Sequence, residues 1–86
     1  MHNLQDLRNQ IDELDTELLH MLQKRIALMK EVGETKKNLQ QPIRDEQRER
    51  QQLANLEQQA RALQIPEILV INIWKLFFEL SEEIEK

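Results

Sequence analysis

The sequence has 86 residues, no cysteine and a formal net charge of −4, which fits one domain near the lower size limit for unaided folding. No thiolate is available as nucleophile or metal ligand, His2 and His20 are too few for a zinc site, and the acidic balance argues against a nucleic-acid partner. The N-terminus lacks the apolar core of a signal peptide and no stretch reaches the length of a membrane span, so a cytoplasmic protein without a membrane partner is expected.

Glycine and proline are confined to Gly33, Pro42 and Pro66, and the abundant residues are good helix formers, so the expected fold is all-α with three helices. The first is expected over about residues 4–39. Its apolar positions, Leu4, Leu7, Ile11, Leu14, Leu18, Leu22, Ile26, Met29, Val32 and Leu39, follow steps of three and four. Asn3 is the expected N-cap, with Asp6 in the first turn. Gly33 weakens this helix, but the stripe continues through it, and Pro42 ends it. The second helix is expected over about residues 44–63 on a stripe of Leu53, Leu56, Ala60 and Leu63. The third is expected over about residues 66–85, with Pro66 in its first turn. It is apolar nearly all round as far as Phe78, which predicts burial on most sides.

A first helix of about 36 residues is about 54 Å long. A compact domain of this size has a radius of gyration near 12 Å, so a diameter of about 30 Å. The helix overshoots such a domain and keeps its apolar stripe along the overshoot. The simplest cover is a second copy of the chain related by a twofold axis.

Several charges stand where apolar residues belong. Arg25 falls between Leu22 and Met29, and Lys36 between Val32 and Leu39. They share a face at about 16 Å separation along the axis, so both could reach one small anion. Arg8 is rotated roughly 100° from that face; if it serves a pocket, the partner's is expected. On the second helix Asp45, Arg48 and Glu49 lie within one turn. On the third, Ser81 and Glu85 continue the line of Trp74 and Phe77. The plain alternative is that each such cation snorkels to solvent or pairs with a nearby acid. Glu49 could pair with Arg25 or Lys36, and the run Arg44–Arg50 could be a solvated face.

At these residues the sequence resembles the AroQ-type chorismate mutases. The matching text is Leu7-Arg8-x-x-Ile11-Asp12-x-Leu14-Asp15, Leu22-x-x-Arg25, Glu31-Val32-Gly33-x-x-Lys36, Pro42-Ile43-Arg44-Asp45-x-x-Arg48-Glu49, and Leu76-Phe77 with Ser81. The resemblance implies an intertwined helical homodimer with two equivalent sites. It implies a cofactor-free isomerase that rearranges chorismate, a dianion, to prephenate on the route to phenylalanine and tyrosine. By the family pattern Arg25 and the partner chain's Arg8 hold the substrate carboxylates, and Lys36 donates to the ether oxygen and a carboxylate. Glu49 takes the hydroxyl, while Asp45, Arg48 and Ser81 line the site. The chemistry suits these residue types, because a unimolecular rearrangement needs orientation and donors at the oxygen that gathers charge, not a nucleophile.

Glu85 departs from the pattern, since many family members carry glutamine there. An ionised Glu85 would repel the ether oxygen. The expectation is a Glu85 protonated in the substrate complex, favoured by desolvation and by the substrate's negative charge, as in family members that use glutamate. An isochorismate-pyruvate lyase of the same fold is the closest alternative, and a non-catalytic or regulatory helical dimerisation domain is the alternative of another class.

Overall fold

In the computed structural model, which describes residues 3–86, the chain forms α1 (Leu4–Asn38), α2 (Glu46–Ala62) and α3 (Glu67–Glu85). His2, one of the two histidines weighed above for zinc, lies outside those residues together with Met1. No strand occurs among the described residues.

Local chemistry sets the helix ends. The Asn3 side chain accepts from the Asp6 amide at 2.8 Å and so satisfies one of the orphan donors of the first turn of α1. Asp45 does the same for α2, accepting from the Arg48 amide at 3.0 Å. α1 runs unbroken through Gly33. It stops where Gln40 turns to a left-handed φ of 56° and Gln41 donates back to the Lys36 carbonyl at 2.8 Å, a Schellman closure. α2 closes the same way, with Gln64 at φ 58° and Ile65 donating to the Ala60 carbonyl at 2.8 Å. Pro42 and Pro66 follow these closures. Pro66 is the N-cap of α3 rather than a first-turn residue.

α3 lies against both α1 and α2. The crossing with α1 buries Met29 and Gly33, and α3 itself buries Val70 and Glu85. The long α1 dominates the shape: the molecule extends 56 Å with a radius of gyration of 16.4 Å, well above the 12 Å or so of a compact domain of this length. Every residue from Asn3 to Met21 is exposed, including the apolar Leu7, Ile11, Leu14 and Leu18. α3 is not covered on most sides within one chain, because Ile68, Leu69 and Leu76 stay more than half exposed. A single chain supplies neighbours for one end of α1 and for part of α3, and nothing for the remaining apolar surface.

Candidate active site

The C-terminal half of α1, the start of α2 and the end of α3 converge on a pocket of about 300 Å³, at the small end for small-molecule sites. α1 brings Arg25 and Lys36 into it, and α2 with its leading loop brings Arg44, Asp45, Arg48 and Glu49. α3 adds Ser81 and Glu85. Residues eleven positions apart on α1 therefore face one cavity, as three full turns require.

Arg25 is held by soft partners. Its guanidinium lies 3.9 Å from the centre of the Phe77 ring and 5.9 Å from that of Trp74, and Nη1 donates to Met29 Sδ at 3.0 Å. Among the described residues no carboxylate lies within ion-pair distance of it. Burial lowers its pKa from the usual guanidinium value, since desolvation disfavours the charged form. A guanidinium in these surroundings keeps its charge at neutral pH, so the pocket presents a partly desolvated cation with its fork unused by any protein acid.

Lys36 and Glu85 meet across the pocket floor. Lys36 Nζ lies 3.0 Å from Glu85 Oε1 and also donates to the Ile43 carbonyl at 2.8 Å. Glu85 is the last helical residue of α3, yet it is only 6% exposed. Its position so near the chain end is fixed by packing on α1 at Gly33, where a Cβ would lie 3.2 Å from Glu85 Cγ. In the free chain Lys36 is thus paired with an acid, and a ligand oxygen would have to share or displace that contact.

Glu49 pairs with neither Arg25 nor Lys36. Its Oε1 accepts from Arg44 Nε at 3.2 Å and from Arg44 Nη2 at 3.1 Å, which leaves Oε2 free. The Arg44 guanidinium pKa is raised by that hydrogen bond first and by the Glu49 charge second. Asp45 lines the pocket while its carboxylate also caps α2, and Arg48, exposed, has no ion-pair partner among the described residues. Ser81 is half-buried on the wall. Arg8 is not in this pocket: seventeen residues of helix put it about 26 Å along the axis from Arg25, beyond the reach of any side chain. Sequence reading did not single out Arg44, whose role is visible only once the loop folds it over Glu49. It also read Trp74 and Phe77 as stripe residues, not as the rings under Arg25. No group of three or more potential metal ligands is gathered among the described residues.

Three helices thus bring a guanidinium without a protein anion, a lysine and several carboxylates to one small cavity. The chain matches the chorismate mutase type II family over residues 7–86 and belongs to that family. It is 28% identical over 86 residues to a chorismate mutase of Methanocaldococcus jannaschii, covering 100% of this chain and 87% of that protein. It is 42% identical over 67 residues to a T-protein of Enterobacter agglomerans, covering 78% of this chain and 18% of the T-protein. It is 29% identical over 89 residues to a bifunctional chorismate mutase/prephenate dehydratase of Aquifex aeolicus, covering 100% of this chain and 25% of that enzyme. The chain therefore spans less than a third of two of these relatives and most of the third.

Proposed function

We propose that the protein is a cytoplasmic homodimeric chorismate mutase that rearranges chorismate to prephenate. Arg25 is the observation that carries this reading. A partly desolvated guanidinium with no protein anion, in the same pocket as Lys36 and Glu49, is an open position for a substrate carboxylate. Arg8 of the partner subunit takes the second carboxylate, because a chain cannot deliver Arg8 to its own pocket. Clamping both carboxylates holds the flexible substrate in its compact shape. The allylic C–O bond then breaks as the new C–C bond forms, with no group transferred to the protein. Lys36, oriented by Glu85 at 3.0 Å, donates to the ether oxygen as charge gathers there. Glu49 Oε2 accepts from the ring hydroxyl while Arg44 holds Oε1.

The surface supports the dimer. The chain exposes 7296 Å², whereas a compact monomer of 10.4 kDa exposes about 5,400 Å². The excess of about 1,900 Å² is what one partner of an obligate dimer commonly buries. No helix of the described residues is long and apolar enough to cross a membrane, so the exposed apolar stripes are assigned to the second chain.

The deciding experiment adds purified protein to chorismate and follows loss of its absorbance, with isochorismate in a parallel cuvette. Prephenate from chorismate is expected. Pyruvate released from isochorismate alone would make the protein a lyase, and no turnover of either would leave a non-catalytic module.

A further inference from the structure

We propose that Gly33 is a positioning residue for Glu85, supplying the space in which the Glu85 stem lies so that its carboxylate reaches Lys36. This rests on the reading of the pocket as a chorismate mutase site. Glycine inside a helix destabilises it relative to alanine, yet Gly33 sits in the interior of α1, buried, one turn before Lys36. No glycine has a positive φ, so the backbone angle does not demand one here. Space does. A Cβ at this position would lie 3.2 Å from Glu85 Cγ, closer than ordinary contact, but 3.8 Å from Ile84 Cγ2 and 3.9 Å from Glu85 Cα, both ordinary. The crowding therefore falls on one methylene, and that methylene carries the carboxylate 3.0 Å from Lys36 Nζ. The atom that must give by a few tenths of an ångström belongs to the Glu85 side chain, while the α3 backbone stays at ordinary contact distance. The fold accommodates alanine, and the placement of the carboxylate does not.

The test is a cycle of Gly33→Ala and Glu85→Ala, singly and together, read by kcat, KM and Tm at one protein concentration. With Glu85 present, Gly33→Ala should lower kcat about tenfold and change KM by less than about threefold, as expected of an orientation error. In the Glu85→Ala background, which lacks Cγ, it should change kcat by less than about twofold. Helix propensity alone raises Tm by roughly 4–8 °C, and that rise should be smaller when Glu85 is present. Equal kcat ratios in both backgrounds, or an unchanged kcat with Glu85 in place, would overturn the inference. If the unaltered protein does not turn over chorismate, the functional reading fails by itself. Gly33 is then judged on Tm, where equal shifts in the two backgrounds refute the proposal and a smaller shift with Glu85 supports it. Should Gly33→Ala fail to fold, recovery in the double variant supports the proposal and failure to recover overturns it.

Discussion

Leu18→Ala gives the sharpest test of the second chain. Leu18 lies on the free half of α1 and is 60% exposed. Fully burying a leucine contributes about 1.5–3 kcal/mol, so covering the exposed share contributes roughly 1–2 kcal/mol. A twofold dimer carries the site twice, which makes roughly 2–4 kcal/mol per dimer and a dissociation constant weakened roughly 30- to 700-fold. Alanine keeps the Cβ, which lowers the figure, and the cavity it leaves raises it again. In a lone chain the same substitution touches nothing and stays within about 0.5 kcal/mol. Sedimentation equilibrium and Tm over a range of protein concentrations measure the difference, with Glu13→Ala on the opposite face as control. A monomeric parent protein with a concentration-independent Tm would refute the reasoning. So would a Leu18→Ala variant that associates as tightly as its parent.

Arg25→Met should lower kcat/KM roughly 10- to 150-fold, the worth of a charge-assisted contact to substrate. Tm should hold or rise, because the partly buried guanidinium has no anionic partner whose loss would be felt; a large fall in Tm would mean that the arginine is structural. Gln64→Gly relieves a non-glycine residue in the left-handed region and should stabilise by about 1 kcal/mol in urea unfolding, whereas a loss of stability would show that the Gln64 side chain contributes more than its backbone strain costs.

The helices were legible because their causes are local. A repeat of three and four, an asparagine able to cap and a proline unable to continue all act within a few residues. The overlong α1 and its shared Arg25–Lys36 face follow from the same periodicity. The Schellman turns at Gln40 and Gln64 were not legible, since glutamine carries no signal for a left-handed φ and adopts it here under the demand of the following chain. The site was legible as a set of misplaced charges and, through resemblance, as a family pattern. Its pairings were not. Glu49 was open to Arg25 or Lys36, and the loop gave it to Arg44. Lys36 meets Glu85, and Gly33 meets the same side chain, where the first and last helices cross. A residue's helical face is set by its neighbours along the chain, but which acid faces which cation is set by how α3 crosses α1. That crossing is a property of packing, and only the tertiary structure decides it.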